Sequence, residues 1–204
     1  MREALRHALR RRPPLRRLLR GLAQAIPAAG GTVYLVGGYL RNLVEGREPG
    51  DVDLLVTGLS YRRTGDVLRS LSGKVPGIRK VVEAGRHFPV HRIAVDWGKE
   101  YIDISNTRTG GRLRPRRAGA APADDDREAV DDASRRDFTI NGLLFRLAPG
   151  RFVEDGRLLD PFGGIEDVRG KRIRCVGEAA DRFREDPLRI VRAIRLKKDR
   201  KSVV

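Results

Sequence analysis

The sequence predicts an α/β (α+β) fold, a mixed sheet flanked by helices. Two observations lead there. Two arginine-rich amphipathic segments open the chain, and from Thr32 onward short β-branched runs alternate with glycine turns and short helical stretches. A third observation bounds the class: no apolar run approaches the ~20 residues needed to cross a bilayer, so a membrane-spanning protein is excluded.

Leu5 to Arg12 reads as a short basic helix, broken by Pro13-Pro14. Leu15, Leu18, Leu19, Leu22 and Ile26 recur at helical spacing with Arg16, Arg17 and Arg20 on the other face, and Gly30-Gly31 ends that helix. Thr32 to Val36 reads as a strand, Gly37-Gly38 as a turn and Tyr39 to Glu45 as a helix. Asp51 to Val56 is a second strand and Thr64 to Leu71 a helix. Ile78 to Val82, His91 to Val95 and Tyr101 to Ser105 are three more strands, so the helices are expected on one side of the sheet. Gly110 to Asp126, rich in Gly, Arg, Pro, Ala and then Asp, reads as a long mobile loop. Ile140 to Leu147 is expected as a strand, Pro161 to Gly164 as a breaker, and Pro187 to Leu196 as a helix. Three segments result, with a domain boundary expected near Pro161 to Gly170: a basic helical extension (1–31), a mixed α/β segment (32–164) and a C-terminal helical segment (165–204).

The 204 residues carry 43 Lys+Arg against 27 Asp+Glu, a formal net charge of +16. That excess favours a polyanionic partner, nucleic acid before a membrane surface. One cysteine, Cys175, allows neither an internal disulfide nor a cysteine metal cluster, which suits a reducing compartment. Met1 to Arg20 has no apolar stretch before a small-residue cleavage site, so it is no secretory signal, and a cytoplasmic location is expected.

Four clusters carry chemistry. In Asp51-Val52-Asp53, residues i and i+2 of a strand project from one face, and two carboxylates held together there suit magnesium, which takes hard oxygen ligands and keeps positions open for phosphate. Solvated surface pairs look the same. Leu35-Val36-Gly37-Gly38 runs a strand into a diglycine and a helix, where backbone N–H groups can approach phosphate, with Arg41 one turn further on. An ordinary strand–turn–helix also fits. Arg135-Arg136-Asp137-Phe138-Thr139-Ile140-Asn141 sets arginines beside an aspartate and an asparagine, a set for a phosphate and a ribose hydroxyl, or for a surface ion pair. In Glu185-Asp186-Pro187-Leu188-Arg189, Asp186 suits an N-cap and Pro187 a first helical residue; Asp186 and Arg189 equally offer an acceptor and a donor for a base edge. Arg189, Arg192 and Arg195 form a basic stripe, while Leu188, Val191 and Ile194 are expected to face the core.

Taken in order, these stretches together with Asp160-Pro161-Phe162-Gly163-Gly164 resemble the class II tRNA nucleotidyltransferase and bacterial poly(A) polymerase family, from about Thr32 to Leu196. The resemblance implies a polymerase-beta-like nucleotidyltransferase head followed by a helical neck. It implies that Asp51 and Asp53 hold catalytic Mg2+, with Asp103 as a third acidic residue. Gly37, Gly38 and Arg41 would meet the triphosphate. Arg136, Asp137 and Asn141 would recognise the ribose, Asp186 and Arg189 would pair with the base, and Arg192 and Arg195 would support the triphosphate. Phe162 to Gly164 would be the spring between head and neck.

The implied reaction is attack of an RNA 3′-hydroxyl on ATP or CTP with release of pyrophosphate, CCA addition to the tRNA 3′ end being the first reading. Poly(A) addition is the second, since Gly85-Arg86-His87-Phe88 and His91 resemble a poly(A) polymerase segment. A basic RNA-binding fragment without activity is the third. The sequence departs from the family at Asn42, where aspartate is usual, and at Gly142, where alanine is usual. Only Lys197 to Val204 follow Leu196, and Asp199 to Val204 back-translates to a common sequencing adapter, so the natural protein is expected to be longer.

Overall fold

The structure is a computed structural model that describes residues 1–85, 89–98, 100–107 and 123–199. Helix α1 (Arg2–Arg11) leads through Arg12 into α2 (Pro13–Ala28). The proline pair therefore ends one helix and also occupies the first turn of the next, where its missing N–H groups cost nothing. Strand β1 (Thr32–Val36), helix α3 (Gly38–Val44), strand β2 (Val52–Thr57) and helix α4 (Tyr61–Leu71) follow, then β3 (Ile78–Ala84), β4 (Val90–Val95) and β5 (Tyr101–Asn106). Helix α5 (Ala123–Ala133) precedes a 3-10 turn (Thr139–Asn141), strands β6 (Leu144–Leu147) and β7 (Arg157–Leu159), and helices α6 (Gly164–Arg169), α7 (Ala179–Glu185) and α8 (Leu188–Asp199).

The seven strands lie in the order β3-β4-β5-β2-β1-β6-β7. The β2–β5 pair is parallel and every other pair antiparallel, which makes the sheet mixed. Alternation along the strands sends Val33, Leu35, Leu54, Val56, Ile102 and Ile104 to one face, where they meet the leucines of α1 and α2. Leu5, Leu15, Leu18, Leu19 and Leu22 are buried in this same core, so the basic extension is packed against the head. Shortening a fully buried leucine leaves a cavity, and Leu19→Ala is expected to cost about 3 kcal/mol. Deleting residues 1–20 should abolish the cooperative melt altogether, which calorimetry or far-UV dichroism would show.

The second face corrects the expectation of helices on one side. Helix α5 covers it, packing Ala129 and Ala133 on Tyr34, Val36, Leu55 and Leu144. Its polar residues are the other fastening: Tyr34 donates to Asp126 at 3.0 Å, Arg157 and Arg146 pair with the same carboxylate at 3.2 and 3.6 Å, and Glu128 accepts from Gly58 N–H at 3.1 Å and from the Thr107 hydroxyl. The end of the expected loop, from Ala123 to Asp126, is thus helical; most of the loop lies outside the described residues, as do Arg86, His87 and Phe88.

Two further expectations change. Ile140 to Leu147 is not one strand, because the 3-10 turn occupies Thr139–Asn141 and β6 starts only at Leu144. Helix α8 does not bury Leu188, Val191 and Ile194, which are about two-thirds exposed; Ala193 and Leu196 face inward instead, against Phe138, Ile140 and Val168. The start of α6 is fixed by Asp160, whose carboxylate accepts from Gly164 and Ile165 N–H at 2.6 and 3.0 Å, and the helix is tied down by Asp167, which is buried and accepts from Thr139, Arg172 and Arg174. A Cβ on Gly164 would stand 2.3 Å from the Thr139 carbonyl oxygen, so only glycine lets α6 close on the 3-10 turn. Among the described residues no helix is long and apolar enough to cross a membrane.

Candidate active site

Asp53 is the second residue of β2, and its neighbours Val52 and Leu54 point into the leucine-rich core, so Asp53 projects from the opposite face. Asp51 lies just before the strand, exposed. The parallel register sets Asp103 of β5 directly beside Asp53. The three carboxylates are close enough to act on one another. The Asp53 carboxyl sits above its ordinary value, first because the cleft walls strip its water although its edge stays open, then because Asp103 and Asp51 repel it, with Arg136 partly offsetting. Among the described residues no group of three or more His, Cys, Asp or Glu side chains is placed to hold a metal ion together, Asp51, Asp53 and Asp103 included. Asp103 is instead gripped side-on by Arg92 through two 2.7 Å bonds.

Gly37 ends β1 with φ +69°, a backbone that side chains rarely adopt. A Cβ there would lie 3.5 Å from Arg136 Nη1 and 3.8 Å from Asp53 Oδ2, so the glycine keeps the space between cation and carboxylate open. From this point a chain of hydrogen bonds runs through the residues singled out in the sequence. Arg41 donates to Asn141 Oδ1 at 2.6 Å, and Asn141 donates to Asp137 Oδ1 at 3.1 Å. Arg192 donates to Asp137 Oδ2 at 3.0 Å and to Asp186 Oδ2 at 2.8 Å. Arg136 adds a bond to the Asn141 carbonyl at 3.2 Å. The chain spans α3, the 3-10 turn and α8. It lines an open cleft of about 1330 Å3 that also holds Gly38, Asp53, Arg189 and Arg195.

Of its two expected capacities, Asp186 shows the cap. It accepts from Leu188 N–H at 3.0 Å, capping α8, and its second oxygen is held by Arg192, which keeps the carboxyl below its ordinary value. Arg189 does not pair with Asp186. It donates to Glu185 at 2.9 Å, to the Arg182 carbonyl at 3.1 Å and to the Arg135 carbonyl at 3.3 Å, while its Nε is buried without a partner. Glu185, the last residue of α7, is held low by hydrogen bonds from Arg189 and Arg182; sequence reasoning gave it no role, because Arg189 belongs to the next helix. Arg92 was missed too, because nothing local in His91-Arg92-Ile93 points to a partner on the next strand. His91 is fully buried and stacked on Tyr61 at 3.9 Å, away from the cleft. Asn42 accepts from Arg41 at 3.3 Å, a bond that aspartate would also make. At Gly142 a Cβ would meet the Thr139 carbonyl at 3.2 Å and Phe162 at 3.3 Å, which accounts for glycine there.

The chain is similar to known proteins in sequence and fold. The chain is 35% identical over 185 residues to the CCA-adding enzyme of Geobacillus stearothermophilus, covering 90% of this chain and 40% of that protein. It is 31% identical over 180 residues to the A-adding tRNA nucleotidyltransferase of Halalkalibacterium halodurans, covering 87% and 38%. A solved complex of a CCA-adding enzyme with ATP superposes with a TM-score of 0.71 at 29% identity, over 94% of this chain and 40% of that one. The chain thus spans about 40% of the length of these relatives. Residues 33–174 match the family model of the poly A polymerase head domain, and the chain belongs to that family.

Proposed function

We propose that this chain is the catalytic head and first neck segment of a cytoplasmic, template-independent RNA 3′-end nucleotidyltransferase that adds CMP and AMP from CTP and ATP to tRNA 3′ ends. The observation that carries the reading is the hydrogen-bonded series Arg41–Asn141–Asp137–Arg192–Asp186 facing Asp53 across one cleft. On this reading Arg41 and Arg192 meet the phosphates, Asn141 and Asp137 the ribose and Asp186 the base edge, all within one cleft. The relatives' names and the complex with ATP support it.

The donor set fits Mg2+. Asp53 lines the open cleft with Asp51 and Asp103 repelling it, a charge that Arg136 only partly offsets, and magnesium is held by one or two carboxylates while substrate oxygens complete its shell. Bound there, it would supply charge stabilisation at the attacking and leaving oxygens. The chain's own residues do the rest. Arg41 and Arg136 draw the triphosphate toward Gly37, Asp137 and Asn141 hold the ribose, and Asp186 and Arg189 face the base. The RNA 3′-oxygen then bonds to the α-phosphorus, the bond to the bridging oxygen breaks, pyrophosphate leaves and the hydroxyl proton passes to solvent. Positioning accounts for most of the rate.

Incorporation of labelled CTP and ATP into tRNA lacking its CCA end tests this. CMP followed by AMP is expected. Repeated AMP alone would assign poly(A) addition, and salt-sensitive RNA binding without incorporation would assign a binding fragment. Asp186→Ala and Arg189→Ala should each shift the CTP-to-ATP preference by roughly tenfold, since a lost hydrogen bond in a recognition site is worth about 1–3 kcal/mol. If Asp186 only caps α8, melting temperature falls and the preference stays the same.

A further inference from the structure

The carboxylates of β2 divide the open face of the sheet. The β1 side carries the cleft with Gly37, Arg41 and Asp186. On the other side, β5 and β4 present Tyr101, Asp103 and Arg92 to the same face, because the register sets Asp103 between Asp53 and Arg92 while Ile102, Ile104 and Ile93 enter the core. Tyr101 is 50% exposed, and outside α8 it is the one large hydrophobic residue so exposed among the described residues. Packing gives no reason for an aromatic ring there. The ring is nevertheless fixed. The Arg92 guanidinium lies 5.3 Å over its centre and at the same time grips Asp103.

In an in-line displacement the attacking oxygen and the leaving pyrophosphate stand on opposite sides of the α-phosphorus. With the triphosphate in the cleft on the β1 side, the RNA 3′-hydroxyl comes from the β5 side, over Asp103 and Tyr101. We propose that Tyr101, clamped by Arg92, is the stacking platform for the 3′-terminal nucleotide of the RNA. This rests on the nucleotidyltransferase reading above. Unpaired RNA ends are held by stacking on aromatic faces, and such contacts accept any base because every base has a π-face. A platform of this kind suits an enzyme whose acceptor end changes with each addition. The guanidinium also supplies the positive charge that a phosphodiester seeks, without reading sequence.

The test titrates the chain with a short RNA hairpin ending in a single-stranded 3′ tail, and separately with ATP and CTP. Tyr101→Ala should weaken RNA binding roughly tenfold, and Tyr101→Phe should stay within about twofold of the parent. Nucleotide affinity and melting temperature should not move. An RNA with an abasic 3′-terminal residue should lose the same factor against the parent chain and nothing further against Tyr101→Ala. Undiminished RNA binding by Tyr101→Ala, additive losses with the abasic RNA, or no RNA binding by the parent would each overturn the platform. A parallel fall in melting temperature and ATP affinity would also overturn it, by making Tyr101 a mere support for Arg92. Failure of ATP and CTP to bind the parent chain would instead count against the nucleotidyltransferase reading, and the RNA arm would still report on Tyr101.

Discussion

Changing Asp53 to asparagine is expected to cut nucleotide transfer by roughly three orders of magnitude, because the several kcal/mol of transition-state stabilisation that a carboxylate-held cation supplies is lost. The same change should raise the melting temperature of the metal-free protein. The Asp53 carboxyl holds its proton more tightly in the folded chain than in the unfolded one, through lost hydration and repulsion from Asp103 and Asp51. Ionisation therefore opposes folding. The penalty begins as pH climbs past the unfolded value and is complete above the folded value. Asparagine removes it. Melting curves of both proteins with chelator should differ at pH 7 and converge below the ordinary carboxylate range. Transfer that survives in Asp53→Asn with saturating Mg2+ would remove the basis for the metal site.

Asp167→Ala should lower stability by about 2–3 kcal/mol. Its carboxylate is buried and accepts from Thr139 at 2.6 Å, Arg174 at 2.9 Å and Arg172 at 3.0 Å, tying α6 to the 3-10 turn. Removing a buried partner leaves the Thr139 hydroxyl unsatisfied. The figure stays at the low end because the arginines are 55% and 57% exposed and regain water. Burial alone would raise the carboxyl, but the hydrogen bonds from Thr139, Arg174 and Arg172 together hold it below its ordinary value. The stability it contributes is present above the unfolded value and is lost as pH falls through the folded one. The parent should therefore lose its advantage over Asp167→Ala in acid, and urea titrations at neutral and acid pH would show the gap closing. A gap that does not change with pH would mean that the clamp works by shape alone.

The sheet and the cleft were legible in the sequence to different degrees. Asp51 and Asp53, Gly37-Gly38 and the Arg135–Asn141 segment announce themselves because strand alternation and glycine turns are local properties. The meeting of Asp53 with Asp103 is not local. It depends on a parallel crossover from β2 to β5 that no short-range pattern encodes. Helix α5 was hidden for another reason. Its inward residues include Asp126 and Glu128, whose partners are Tyr34, two arginines and a backbone N–H group, so the buried side does not look apolar. Helix α8 shows the converse. Leu188, Val191 and Ile194 have helical spacing, but periodicity states only which side of a helix is suited to burial, and here Ala193 and Leu196 take the inner side.

Arg192 holds Asp137 with one nitrogen and Asp186 with another. A base that draws on Asp186 therefore changes how firmly Asp137 and Asn141 are held, and with them Arg41. Linkage makes this mutual: whatever free energy a matching base adds to the grip on phosphates, bound phosphates add to the grip on the base. On the proposed function, selectivity between CTP and ATP is then expected to be a property of the occupied triphosphate site. Cytidine and adenosine without phosphates should be told apart far less well than their triphosphates, and added pyrophosphate should restore part of the difference.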